Sequence, residues 1–335
     1  MKKRPMYTPI LIMGEALYGL ALKGIAALYR MKLLPVHQLK IPVVSVGNLT
    51  WGGTGKTPMV MALAIYFQKK GRRVAVLTRG YGQDEARLLT ERLHPIPVLI
   101  GADRVALGWT AYEKHAANLV LLDDGYQQWR LKKDLEILMV DATSPFGNGR
   151  LIPHGTLRER PSAAARADLI VVTKSDFNPD GLEVTQEKLR SLNEKAPIFF
   201  ARYRATHGWC WPSGEEFPLG RLGDEPLCAL SGIARPEQFE TTLHRLGGRI
   251  HLKVRVGDHH PYTVGQMVRL FARCHRHRIR RIVTTAKDAV RIPKGILDAA
   301  GPNLKGMELL VLEVKMEFDP NESELHHRID SLLPG

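Results

Sequence analysis

Lys56 and Thr57 follow a glycine-rich turn, Gly52-Gly53-Thr54-Gly55, and precede an apolar run, Met59 to Leu63. Ahead of the turn lies a β-branched stretch containing Val43, Val44 and Val46. Strand, glycine turn, Lys-Thr and helix form a phosphate-binding arrangement. Glycine lets the backbone curl until several N–H groups face one anion, and the helix N-terminus adds partial positive charge. The nucleotide contacts expected are Thr50, Trp51, Gly52, Gly53, Thr54, Gly55, Lys56 and Thr57. Lys56 would reach the β- and γ-phosphates, and the Thr57 hydroxyl would hold Mg²⁺. The strict motif has glycine where this chain has Thr50. A second signal is Asp123-Asp124, at the end of the apolar run Leu119 to Leu122. A strand ending in aspartate supplies hard oxygen ligands for Mg²⁺ beside a phosphate loop.

Two weaker signals compete with or extend this chemistry. Thr173-Lys174-Ser175-Asp176 is similar to the element by which GTPases read guanine, and it also follows an apolar run. It keeps a GTP-hydrolysing switch or chaperone open as an alternative, against a bland reading as a turn with a solvated lysine. Asp258-His259-His260 sits in a polar stretch, and acid–base or structural work is expected of it before metal binding, because adjacent histidines ligate one ion awkwardly.

Bulk properties narrow the partners. The formal net charge of +14 over 335 residues implies an anionic counterpart. Nucleic acid is not expected, because basic and aromatic residues are not interleaved. Cys210, Cys228 and Cys274 lack metal-like spacing and read as small apolar residues in a reducing compartment. The first forty residues carry seven Lys/Arg and one Glu, a net +6, around an apolar run interrupted by Glu15 and Lys23. A helix there would lie in a membrane interface or pack on its own domain.

These residues need a scaffold that brings strand ends together. Apolar strands at 72–78, 97–100, 119–122, 135–141 and 167–173 alternate with helical stretches. They predict an α/β fold, a P-loop NTPase-like, mainly parallel sheet covered on both faces, with ligands at the carboxyl ends of the strands. Around residue 205 a stretch with Trp209, Trp211, Pro212 and Pro218 reads as a loop-rich boundary. The expected division is a basic, apolar helical segment over 1–40, a P-loop domain over 41–205, and a smaller α/β domain over 206–335 closing over the active site.

The order of these pieces resembles the tetraacyldisaccharide 4'-kinase family. The resemblance rests on Val46-Gly47-Asn48-Leu49-Thr50 through Pro58, Arg79-Gly80-Tyr81-Gly82, Asp123-Asp124-Gly125-Tyr126-Gln127 and Phe146-Gly147-Asn148-Gly149. Leu157-Arg158-Glu159, Asp258-His259 and Thr285-Ala286-Lys287-Asp288 extend it. It implies transfer of the ATP γ-phosphoryl group to the 4'-hydroxyl of a tetraacylated glucosamine disaccharide 1-phosphate. It also implies a peripheral position at the cytoplasmic face of a bacterial inner membrane, an anionic surface touched by the N-terminal segment, and no obligate protein partner is inferred. By resemblance, Asp84 is the catalytic base with His259 as its partner and His260 as the fallback. Asp123, Asp124 and Glu159 join Thr57 as metal-holding groups, and Asn48, Tyr81, Arg104, Gln127 and Arg158 surround nucleotide and substrate. Here Gln83-Asp84-Glu85-Ala86 stands where the family has Gly-Asp-Glu-Pro, and the segment after Gly82 is short.

Overall fold

The computed structural model describes residues 8–80, 83–296, 306–319 and 322–333. The chain forms two compact units: residues 1–81, 89–202 and 316–335, and residues 82–88 with 203–315. Tyr81 lies outside the described residues.

In the first unit the order is α1 (Thr8–Arg30), β1 (Val43–Gly47), α2 (Lys56–Lys69), β2 (Val74–Thr78), α3 (Gln83–Leu93) and β3 (Val98–Ile100). Then come α4 (Arg104–His115), β4 (Leu119–Asp123), β5 (Leu135–Asp141), β6 (Leu169–Thr173), α5 (Leu182–Leu192) and the start of β7 (Ile198–Trp211). The sheet runs β7-β6-β5-β1-β4-β2-β3. Pairings from β3 to β7 are parallel. β1, β2, β4, β5 and β6 are buried along their whole length, which is why they read as continuous apolar runs without alternation.

The register of this sheet sets the site. Val46 pairs with Asp123, so the aspartate pair leaves β4 beside the strand that delivers the glycine turn. Gly47, the last residue of β1, is needed for that approach: a Cβ there would sit 2.5 Å from the backbone nitrogen of Tyr126.

α1 lies against the first unit by one face only. Gly14 approaches Pro153, Gly19 approaches Leu151, and Tyr18 and Leu22 join a core cluster that includes Leu151 and Leu157. The opposite face leaves Ile10, Met13, Leu17 and Leu20 each more than 60% exposed. Pro9–Arg30 is long and apolar enough to cross a membrane by length and composition.

The second unit contains the first turns of α3, the rest of β7, β8 (Glu216–Phe217), β9 (Pro226–Ser231), α6 (Pro236–Arg245) and β10 (Arg249–Arg255). It continues through α7 (Val264–Arg276), β11 (Arg281–Thr285), α8 (Ala286–Ala289) and most of β12 (Glu308–Asp319). Its strands run β10-β9-β11-β12, parallel from β10 to β12, with β8 antiparallel to β7. α7 buries Met267, Leu270, Phe271 and Cys274, an i, i+3, i+4, i+7 stripe, and is opened by a Thr263–Gln266 capping box.

Two readings of the chain need correction here. The stretch around residue 205 is not loop-rich: β7 runs through it for 14 residues, its aromatic and β-branched side chains outweighing the Pro and Gly signals that follow. The chain after Met316 belongs with the first unit, where α9 (Glu322–Leu332) places Asp330 on Tyr66 at 2.7 Å and on Lys70.

Candidate active site

The glycine turn leaves β1 and enters α2 at Gly55, which has φ 88° and is the helix N-cap. Lys56 and Thr57 occupy the first helical turn, and Pro58 fits there because its missing N–H has no helical partner. The turn is held from three sides. Asn48 Nδ2 donates to Thr54 Oγ1 at 2.8 Å, both buried. Arg158 N donates to Leu49 O at 2.7 Å and Trp51 N to Thr156 O at 2.6 Å. At the end of β6, Thr173 Oγ1 donates to Thr54 O at 3.0 Å and Lys174 Nζ to Gly53 O at 2.8 Å. A planar trans peptide points its N–H away from its C=O, so tying down the Thr54 carbonyl turns the Gly55 N–H the other way. Trp51 stands 56% exposed at the rim.

Lys174 is therefore not a solvated lysine. It is 5% exposed, and its ammonium lies 2.5 Å from Asp141 Oδ2. The reason is positional: Lys174 follows β6 directly, with φ 58°, and Asp141 ends the neighbouring strand β5.

The acids and their partners gather next to the turn. Lys56 Nζ is 3.6 Å from Asp124 Oδ1, and Arg158 Nη1 donates to both Asp124 oxygens at 2.8 and 2.7 Å. Burial would push the Asp124 carboxyl up, but Lys56 and Arg158 outweigh it and hold it below the usual carboxylate range. Asp123 is 3% exposed and accepts from Thr78 Oγ1 at 3.4 Å. Arg104 is buried and hydrogen-bonded to the Gly101 carbonyl. Burial depresses its guanidinium, and the nearby Asp123 charge opposes that.

Gln127 Nε2 donates to Asn48 O and to Glu159 Oε1, each at 3.0 Å. Both Glu159 oxygens also face Arg166, at 2.7 and 3.0 Å. Among the expected metal-holding acids, Glu159 is thus engaged by a guanidinium and an amide, which makes it a brace for Gln127. Among the described residues no group of three or more His, Cys, Asp or Glu is placed to hold a metal by itself. Thr57 and Asp123 nevertheless suit Mg²⁺: a hydroxyl in the first turn of α2 and a carboxylate at the end of β4 are hard oxygen donors.

A second group lies within the other unit. Asp84, in the first turn of α3 and buried, accepts from His259 Nδ1, with Oδ1 and Oδ2 at 2.8 and 3.0 Å. The partner fixes the tautomer: Nδ1 carries the proton toward the carboxylate. His260 is turned elsewhere, its Nε2 3.2 Å from Gln266 Oε1. Lys287 Nζ lies 2.9 Å from Glu85 and 3.5 Å from Asp258, and Arg291 Nε lies 3.6 Å from Asp84 Oδ2. Asp124, Lys174 and His259, with φ 60°, 58° and 59°, are all non-glycine residues in the left-handed region. Such backbone is held only by its surroundings and concentrates at functional sites.

A family model for tetraacyldisaccharide-1-P 4'-kinase, LpxK, matches residues 7–334. The chain belongs to this family. The tetraacyldisaccharide 4'-kinase of Anaeromyxobacter dehalogenans (strain 2CP-C) is 37% identical over 318 residues, covering 88% of this chain and 84% of that protein. That of Geobacter metallireducens is 34% identical over 342 residues, covering 94% and 95%. The crystal structure of an "apo" form of LpxK from Aquifex aeolicus in complex with ATP superposes with a TM-score of 0.75 at 26% identity, covering 98% of this chain and all of that one.

Membership removes the GTP-hydrolysing alternative, and with it the base-reading role of Thr173–Asp176. Three residues that the structure places around these groups carried no signal of their own in the sequence: Asp141, Arg166 and Arg291. Thr173 and Lys174, which hold the turn, did stand out, but as part of a different motif.

Proposed function

We propose that this chain transfers the ATP γ-phosphoryl group to the 4'-hydroxyl of a tetraacylated disaccharide 1-phosphate, with Asp84 as general base and His259 as its partner. The observation that carries the assignment of the base is the 2.8 Å hydrogen bond between two residues 175 positions apart in the chain. In this reading the glycine turn and Lys56 hold the triphosphate, and Arg104 and Arg158 supply positive charge for phosphate oxygens. Mg²⁺ held by Thr57 and Asp123, with Asp124 alongside, would neutralise charge on the β- and γ-phosphates.

Asp84 takes the proton from the 4'-hydroxyl as that oxygen bonds to the γ-phosphorus. The bond from phosphorus to the β–γ bridging oxygen breaks, and ADP leaves with the electron pair. His259 orients the carboxylate and shares the proton. We assign the exposed stripe of α1 to the acyl-chain boundary of an anionic membrane, as a peripheral contact at the cytoplasmic face, because a kinase of a tetraacylated lipid must meet its substrate there.

The test is direct: purified protein, ATP, Mg²⁺ and the disaccharide 1-phosphate should yield a bisphosphorylated lipid. Lys56→Ala and Asp84→Ala should each abolish product while leaving circular dichroism unchanged. Full transfer by Asp84→Ala would remove that residue from the role of base.

A further inference from the structure

Arg291 is a buried cation that the reaction as described does not use. Its side chain is 8% exposed and fixed by four acceptors. Nη2 donates to Gly232 O at 2.8 Å and to Asp288 Oδ1, Nη1 to His260 O at 3.2 Å, and Nε to Lys287 O at 3.3 Å. Asp288, fully buried, is itself held by Gly232 N at 2.9 Å, Tyr262 Oη at 2.9 Å and Thr285 Oγ1 at 2.7 Å. The guanidinium is therefore locked in place before any substrate contact. Two of its contacts bear on the base. Nε lies 3.6 Å from Asp84 Oδ2, on an ion-pair contact rather than a hydrogen bond. The bond to the His260 carbonyl ties down the loop in which His259 stands at φ 59°.

We infer that Arg291 is the positioning residue of the Asp84–His259 pair, holding the histidine's loop and keeping a fixed positive charge behind the carboxylate. This rests on the reading of Asp84 as base. The physical need is plain. Asp84 is buried, and a charged carboxylate taken out of water must be compensated where it stands. A cation that cannot move away removes that difficulty. The other charges around Asp84 are less suited to the task. Lys287 is engaged by Glu85 and Asp258, and Asp258 Oδ2 also lies 3.7 Å from His259 Nε2. Glu85 is the adjacent residue on α3, and Asp288 Oδ1 accepts from Arg291 Nη2.

The experiment uses the full-length enzyme and three variants, Arg291→Met, Arg291→Lys and Asp84→Asn. It records the pH dependence of kcat/KM and the titration of the His259 imidazole by NMR on histidine-labelled protein, assigned with His259→Gln. In Arg291→Met the acid limb of kcat/KM should move up by about one pH unit or more. His259 should titrate higher, because a repelling cation is gone and the Asp84 charge is less compensated. KM for ATP should stay at its wild-type value. Arg291→Lys keeps the charge but not the planar fork, so it should restore the acid limb while kcat stays reduced. It also serves where the methionine variant does not fold. An unchanged acid limb and an unchanged His259 titration in a folded Arg291→Met protein would overturn the inference. Activity retained by Asp84→Asn would instead defeat the assignment of the base, and the His259 titration would still report whether Arg291 acts on the pair.

Discussion

Replacing Lys174 by methionine tests whether the phosphate turn is held from β6. The ammonium meets Asp141 Oδ2 at 2.5 Å and Gly53 O at 2.8 Å, in a place where both charged residues are at most 6% exposed. Breaking a buried ion pair by removing one partner costs about 3–5 kcal/mol, because the remaining charge is left without compensation. Asp141 keeps two donors on its other oxygen, Thr143 N at 2.9 Å and Thr143 Oγ1 at 2.6 Å. That places the loss at the lower end, about 3 kcal/mol in urea unfolding. Asp141→Asn alone should cost less, and the double variant should show a coupling of about 2 kcal/mol between the two sites. The freed Gly53 carbonyl should also let the turn relax, so that binding ATP must reorder it. A penalty of about 1.4 kcal/mol raises KM for ATP roughly tenfold, with KM for the lipid unchanged. A folded Lys174→Met protein with the wild-type urea midpoint and the wild-type KM for ATP would refute the reasoning.

Further expectations follow from other parts of the chain. Glu240 is 4% exposed and ion-paired to Arg255 at 2.6 Å and Lys253 at 2.8 Å; the hydrogen bond from Arg255 holds its carboxyl down at about 2, against an ordinary 4.5. Because the folded value is depressed, its contribution is complete above pH 4.5 and disappears as pH falls from there toward 2. That contribution is about 3 kcal/mol before solvent screening of the half-exposed Arg255 and about 2 kcal/mol after it. Acid unfolding of Glu240→Gln should show this dependence flattened. Gly47→Ala would drive a Cβ to 2.5 Å from both the Cβ and the backbone nitrogen of fully buried Tyr126, costing about 3 kcal/mol and weakening ATP binding in a thermal-shift titration. Leu17→Glu with Leu20→Glu changes residues that are 63% and 69% exposed, so folding should be unaffected while cosedimentation with anionic phospholipid vesicles falls at least about tenfold. Unchanged cosedimentation would remove α1 from the membrane contact.

The N-terminal helix and the phosphate turn are linked through one segment. Glu15 accepts from Leu151 N at 3.1 Å and faces His154 Nδ1 at 2.8 Å, while Tyr18 donates to Arg158 O at 2.9 Å. The same segment pairs with the turn through Arg158 N and Thr156 O, and it carries the guanidinium on Asp124. A rigid series of hydrogen bonds thus runs from α1 to the phosphate-binding residues, which explains why a helix so exposed on one face is well seated on the other.

What the amino-acid sequence determined by itself was local. Fully buried parallel strands read as unbroken apolar runs, and a strand, glycine turn and Lys-Thr form a phosphate-binding pattern, so the sheet, the turn and the place of Asp123-Asp124 at the end of β4 were legible. What only the tertiary structure decided was which charges meet. His259 rather than His260 faces Asp84 because the loop carrying it is pinned at one backbone carbonyl. Lys174 is buried rather than solvated because Asp141 ends the adjacent strand, and Glu159 is a brace because Arg166 reaches both its oxygens. Each of these depends on pairs separated by anything from 7 to 175 residues, and a Coulomb interaction depends on distance in space, of which sequence spacing carries no record.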